Sequence, residues 1–362
     1  MYKSQQPIPD EYIVMSEQER DERIRTIKAD LGSKLVILGH HYQRDEVIRY
    51  ADYRGDSLKL AQLAAQEKKA EYIVFCGVHF MAETADMLTS SEQKVILPDL
   101  GAGCPMADMA ELGDVEVCWN LLTTQYTQDI IPVTYVNSSA EVKAFCGRNG
   151  GMTCTSSNAP QIFTQLLGNG KSILFLPDEH LGRNTGLKWG LHDQDILLWN
   201  RENLEEVELP KEAPKLILWD GYCTVHQKFE PQQVDEVRKK YPGIKVIVHP
   251  ECSHAVVEKA DLSGSTDFII RQISEAPAGS IWAVGTEINL VHRLAQENPD
   301  KKIVSLNENT CRCVMMNRIS QPHLLWALDN LNKGEVVNQI TVDEKITADA
   351  IMALNRMLDL SK

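Results

Sequence analysis

A chain of 362 residues, 43% of them hydrophobic, can bury several cores, which suits two or three domains or one large α/β domain. A formal charge of −14 argues against nucleic acid and anionic membrane as partners, because phosphate binding needs a basic footprint; an anionic small molecule needs only a few local donors. The polar, acidic start lacks the basic-then-apolar order of a signal peptide, and no apolar run nears the roughly 18 residues of a membrane span, so a cytoplasmic protein is expected.

Along the chain, short runs rich in Val, Ile and Leu end abruptly in polar residues or glycine, at 34–42, 71–80, 94–99, 132–139, 171–180, 215–223, 245–252, 281–287 and 302–308. Stretches of helical periodicity separate most of them, such as 56–70 and 231–241. Apolar strands alternating with helices predict parallel α/β units with both sheet faces covered. Ligands of such sheets bind at the carboxyl ends of the strands, so functional residues should follow each apolar run.

The nine runs sort into three sets of three. Each set opens on a strand ending in polar residues: His40-His41-Tyr42, Tyr135-Val136-Asn137 and His249-Pro250-Glu251. Each then reaches a hydroxyl cluster (Gly55-Asp56-Ser57, Thr155-Ser156-Ser157, Gly264-Ser265-Thr266), a second strand, and a third strand leading to Cys104, Cys223 or Cys313. Cys104 follows His40 by 64 residues and Cys313 follows His249 by 64, whereas Cys223 follows Asn137 by 86, the surplus falling in a charged segment that reads as a surface insertion at about 191–214. Such self-similarity predicts a triplicated unit. The expected domains are 1–114 with 315–362, then 115–224, then 225–314. Three pseudo-symmetric, Rossmann-like parallel units would surround a central cavity. The apolar stripes of the C-terminal stretch, with Leu324, Leu325, Leu328, Ile351, Leu354 and Leu358, need burial, and the first unit is the expected partner. The hydroxyl clusters stand where helix N-caps belong.

Nine cysteines, an odd number, argue against a disulfide framework in a cytoplasmic chain and leave buried small residues or metal ligands. A single cysteine is ordinarily a core residue. Repetition at equivalent points of three units favours Cys104, Cys223 and Cys313 as thiolate ligands of a 4Fe–4S cluster with one open iron. Zinc is the weaker reading, since no cysteine pair has knuckle spacing. In Cys311-Arg312-Cys313 the repeat spacing favours Cys313. Cys76, Cys118, Cys146, Cys154 and Cys252 read as structural.

The motifs GHHYQ, GDSL, GVHFMAETA, GCPMADM, TYVNSSAEVKA, CTSSNA, PDEHLGRNT, WDGYCTVH, VIVHPEC, GSTDFI, VGTEINLVHRL and CRCVMMNRI stand in one order over nearly the whole chain. With them the sequence closely resembles the quinolinate synthase family, in a branch with a longer middle insertion. The resemblance implies an Fe–S enzyme of de novo NAD biosynthesis that condenses iminoaspartate (iminosuccinate) with dihydroxyacetone phosphate, releasing phosphate and water. It also implies a supplier of iminoaspartate, L-aspartate oxidase or aspartate dehydrogenase. By motif, it assigns the cluster to Cys104, Cys223 and Cys313. It places substrate contacts at His40, Ser57, Tyr135, Val136, Asn137, Ser156, His249, Pro250, Glu251 and Thr266, and a catalytic tyrosine at Tyr42. Asp267 departs from the small or amide residue expected there. For the proton transfers of ring closure, Glu251 is the expected general base, with Tyr42 and His249 as partners of the substrate oxygens. Two other classes compete. A Rossmann dehydrogenase lacks its glycine fingerprint in GHHYQRDE. A non-catalytic Fe–S sensor shares the ligands but has no use for Glu251.

Overall fold

The computed structural model describes residues 7–201, 209–307 and 312–360. The chain forms two compact units, Met1–Cys104 with Arg312–Asp343, and Pro105–Cys311 with Glu344–Lys362.

The strands are β1 (Leu35–His40), β2 (Tyr53–Gly55), β3 (Tyr72–Cys76), β4 (Lys94–Ile96), β5 (Ile130–Tyr135), β6 (Met152–Cys154), β7 (Ser172–Leu176), β8 (Ile196–Trp199), β9 (Leu216–Trp219), β10 (Lys245–Val248), β11 (Leu262–Ser263), β12 (Ile281–Gly285), β13 (Lys302–Ser305) and β14 (Gln339–Ile340). The first unit holds one sheet, ordered β14-β4-β3-β1-β2. The second holds two, ordered β6-β5-β7-β9-β8 and β11-β10-β12-β13. All pairings are parallel except β14 against β4. In each sheet the opening strand lies between a short strand and the second long one, with the third long strand beyond. Parallel strands need helical crossovers, and these cover both faces, so β3 and β7 are buried along their whole length.

All nine apolar runs overlap a strand. The segment read as a surface insertion differs from expectation: Ile196–Trp199 adds β8 to the edge of the second sheet, and Trp199 is fully buried in a core with Phe145, Ile217 and Trp219.

The C-terminal helices divide between the units. Gln321–Asn332 buries Leu324, Leu325, Leu328 and Leu331 and packs on Glu17–Leu31, where Tyr12 donates to Asp329 at 2.7 Å. Glu344–Asp359 instead packs on Ala140–Arg148 in the second unit, so the expected return of all of 315–362 to the first unit is corrected for this last helix. Its stripe of Ala350, Ala353, Leu354 and Met357 fits there because Gly147 admits the helix backbone. A Cβ at Gly147 would lie 1.9 Å from the Asp349 carbonyl oxygen. Gly147 has helical backbone angles, so Gly147→Ala is opposed by crowding alone. We expect it to cost about 1–3 kcal/mol, the usual range for overpacking, as a lower denaturant midpoint at unchanged slope.

Among the described residues no helix is long and apolar enough to cross a membrane.

Candidate active site

In the first unit, β1 delivers His40, which is buried. The Tyr42 backbone N–H donates to His40 Nδ1 at 3.1 Å, and the two rings meet edge to face with centroids 4.7 Å apart. Accepting at Nδ1 leaves the imidazole proton on Nε2. Ser57 is the first residue of helix Ser57–Gln66, whose cap is Asp56, accepting from Lys59 N–H at 2.9 Å. Thr266 likewise begins helix Thr266–Ser274, capped by Ser265 through Phe268 N–H at 3.3 Å. The cluster of the third unit therefore caps its helix through a hydroxyl, Ser265, as expected, whereas in the first unit the cap is the carboxylate of Asp56; Ser57 and Thr266 each stand one residue inside the helix.

In the second unit, β5 ends on buried Tyr135 and Val136, the latter donating its N–H to the Cys154 carbonyl at 2.8 Å. Asn137 follows with Oδ1 buried and without a hydrogen-bond partner. Ser138 Oγ donates to the Tyr135 carbonyl at 2.9 Å, and the ammonium of fully buried Lys143 donates to the Ser138 carbonyl, which fixes this turn. Ser156 sits in a turn closed by Thr155 N–H donating to Asn158 Oδ1 at 2.7 Å. Ser156 and Pro250 line an open groove of about 800 Å³ with Asn184, Lys188, Ser265 and Arg271.

A buried cluster of ionisable groups lies after β10. Glu251, 3% exposed, brings Oε2 within 2.6 Å of His226 Nδ1 and 3.3 Å of His249 Nδ1. The two imidazoles stack with centroids 4.7 Å apart, and His226 Nε2 lies 3.1 Å from Thr286 Oγ1. Ligand atoms of Cys223, His226 and Glu251 all fall within 4.8 Å of one another, a set that could hold a metal ion. Burial opposes ionisation of Glu251, but His249 and His226 outweigh it and hold the carboxyl well below its ordinary value. Burial pushes His226 down against the pull of Glu251. Asp178, fully buried, is pushed well above its ordinary value by burial and then by the charge of Glu251. Its Oδ1 caps helix Glu179–Trp189 through Leu181 N–H at 2.8 Å, and its Oδ2 is buried without a hydrogen-bond partner.

The strand ends of the first and third sheets share one local device. Glu251 N–H lies 3.4 Å from His249 Nδ1, as Tyr42 N–H does from His40 at 3.1 Å, so Tyr42 and Glu251 occupy equivalent positions two residues after a strand-end histidine.

His226, Thr286, Asn184 and Asp178 were not anticipated. Asn184 Nδ2 donates to the carbonyls of Pro250 and Cys252, both at 2.9 Å, and its Oδ1 accepts from His254 Nδ1 at 3.0 Å, holding the loop that carries Glu251. The signal for His226 was its Cys-x-x-His spacing from Cys223; Asn184 and Asp178 stand inside PDEHLGRNT.

The cysteines divide by exposure. Cys104, Cys223 and Cys313 are half-buried, while Cys76, Cys118, Cys146, Cys154 and Cys252 are fully buried. Burial pushes the Cys76 thiol up to about 12 and raises Cys118, Cys146 and Cys154 as well. A thiol that cannot ionise is a poor metal ligand. Cys311 lies outside the described residues. Cys104 and Cys313 belong to the first unit and Cys223 to the second.

Parallel sheets with histidines, a buried carboxylate and half-buried cysteines gathered after their strand ends define an α/β enzyme. The family model of NadA, quinolinate synthetase A protein, matches residues 22–359. The chain is 52% identical to the quinolinate synthases of Bacillus cereus (strain AH187) and Bacillus mycoides (strain KBAB4), each over 353 residues covering 97% of this chain and 96% of the relative. It therefore belongs to the quinolinate synthase family, enzymes of NAD biosynthesis.

Proposed function

We propose that this enzyme condenses iminoaspartate with dihydroxyacetone phosphate to quinolinate, with loss of phosphate and two waters, in the cytoplasm. The atoms of that equation balance without an oxidant or reductant, so the protein has to supply proton transfers and charge stabilisation. The observation that carries the reading is Glu251: a buried carboxylate kept ionised by two imidazoles, beside a half-buried cysteine. Such a carboxylate is placed to accept a carbon-bound proton, with His226 and His249 able to share it. Tyr42 and His249 are assigned to the substrate oxygens, with His40 as a further substrate contact. Ser57, Ser156, Thr266 and the orphaned Asn137 face the carboxylates, with Tyr135, Val136 and Pro250 as walls.

The cofactor proposed is a 4Fe–4S cluster on Cys104, Cys223 and Cys313, which requires the strand ends of the three sheets to share one cavity. The donor set fits, because these are the half-buried cysteines among those described. When bound, an iron without a protein ligand supplies a Lewis acid for the dehydrations.

The grouping of Cys223, His226 and Glu251 favours a second reading, a single divalent ion held by those three side chains. Metal analysis separates the two. Protein reconstituted anaerobically with iron and sulfide is expected to hold about four of each per chain and to form quinolinate. One zinc per chain, no sulfide and undiminished activity would sink the cluster.

A further inference from the structure

Asp99, at the end of the third long run, is almost fully buried, and its carboxylate is surrounded by donors from two segments far apart in sequence. Gly101 N–H donates to Oδ1 at 2.8 Å; Arg318 approaches Oδ2 with Nε at 3.0 Å and Oδ1 with Nη2 at 3.4 Å. This is the forked Arg–carboxylate pairing, which fixes orientation as well as distance. The guanidinium lies directly over Gly101: a Cβ there would stand 2.5 Å from Nη2 and 2.8 Å from Cζ. Gly101 has no left-handed φ, so its backbone alone does not call for glycine. The close approach of Arg318 does.

Each partner belongs to a loop that is already stiff. The Asp99 loop leads to Cys104 and is tied by Ala102 N–H to the Asp99 carbonyl at 3.0 Å and by His79 N–H to the Ala102 carbonyl at 2.8 Å. The Arg318 loop starts at Cys313, whose carbonyl accepts from Asn317 N–H at 3.1 Å and from Asn317 Nδ2 at 2.8 Å. Gln43 Nε2 donates to the Met316 carbonyl at 3.0 Å, which binds that loop to the turn carrying Tyr42.

We infer that the Asp99–Arg318 pair, closed over Gly101, is a clamp that presets the Cys104 loop against the Cys313 loop for cluster binding. These are positioning residues that act through the two cysteines, and the inference rests on the proposed ligand set. Without the clamp each loop keeps its own hydrogen bonds but loses its register with the other. The cluster must then bring the two loops together itself, and it is held less tightly.

The test is iron retention, read without turnover. Reconstituted protein is challenged anaerobically with an iron chelator, and cluster absorbance is followed with time. Arg318→Ala and Gly101→Ala should each lose iron on the order of tenfold faster than the parent, the low end of what outer-shell partners of a metal site contribute. Arg318 is exposed and Gly101→Ala can displace its flexible tip, so both proteins are expected to fold. The diagnostic result is non-additivity: in an Arg318→Ala background, Gly101→Ala should add nothing. Iron loss within about twofold of the parent in Arg318→Ala, with Cys104→Ala failing to assemble, would overturn the clamp and leave the cluster reading intact. Normal assembly in Cys104→Ala would instead remove the reading beneath it. If Arg318→Ala does not fold, Gly101→Ala decides alone, and a parent-like iron-loss rate in it ends the proposal.

Discussion

Cys223→Ala is expected to abolish cluster assembly, and Cys104→Ala and Cys313→Ala should behave alike, whereas Cys76→Ala and Cys146→Ala keep both cluster and activity. The physical ground is access and ionisation. The first three thiols are half-buried, while Cys76 and Cys146 are fully buried with their thiols pushed up by the apolar surroundings. A thiolate is both the ligand and the nucleophile, so the same division should appear in apo-protein as rapid alkylation of the three candidates and slow alkylation of the buried set. Iron quantitation after reconstitution is the primary measurement. A fully active Cys223→Ala enzyme with normal iron content would end the three-ligand reading. Cys311→Ala is expected to retain the cluster; loss there, with Cys313→Ala unaffected, would transfer the third ligand to Cys311.

The long strands could be read in the sequence because a parallel strand buried on both faces needs a near-continuous apolar run, and β1, β3, β7 and β12 each carry one. The short strands could not. Tyr53–Gly55 and Leu262–Ser263 join their sheets by backbone pairing, with side chains that carry no burial pattern. Ile196–Trp199 was hidden by the charges around it, although a buried tryptophan is what the apolar tetrad Ile-Leu-Leu-Trp should have suggested. Amphipathic stripes in 344–359 required a partner without naming it; the partner depends on Gly147, whose meaning emerges only once the helices are seen to touch. The site divides in the same way. Strand-end residues follow from topology, so His40, Asn137, His249 and Glu251 were accessible. His226, Asn184 and Asp178 reach Glu251 or its loop from segments 25 to 73 residues away; the Cys-x-x-His spacing and PDEHLGRNT marked those segments, but nothing local tied them to Glu251.

Removing the charge of Glu251 or the phenol oxygen of Tyr42 should stop turnover and spare the cluster. Glu251→Gln keeps the shape of the side chain, and Tyr42→Phe keeps the ring that packs at 4.7 Å on His40, so neither opens a cavity. What each loses is a proton-handling group. Glu251 has been kept ionised by His226 at 2.6 Å and His249 at 3.3 Å, and an amide there can neither take up a proton nor supply the negative charge that faces the two imidazoles. Loss of a positioned acid or base typically costs on the order of 10²–10⁴ in rate, so quinolinate formation should fall by at least about a hundredfold. Neither side chain is a usual Fe–S ligand, and iron content and cluster spectra should stay near those of the parent. That combination also separates the enzyme from a sensor, which would tolerate Glu251→Gln as long as its cluster is intact. The measurement is iron quantitation beside single-turnover assays with iminoaspartate and dihydroxyacetone phosphate. Turnover within a few fold of the parent in either variant would remove the role given to that residue. Loss of iron in Glu251→Gln would move Glu251 from the acid–base chemistry to the metal, the arrangement in which Cys223, His226 and Glu251 share one ion.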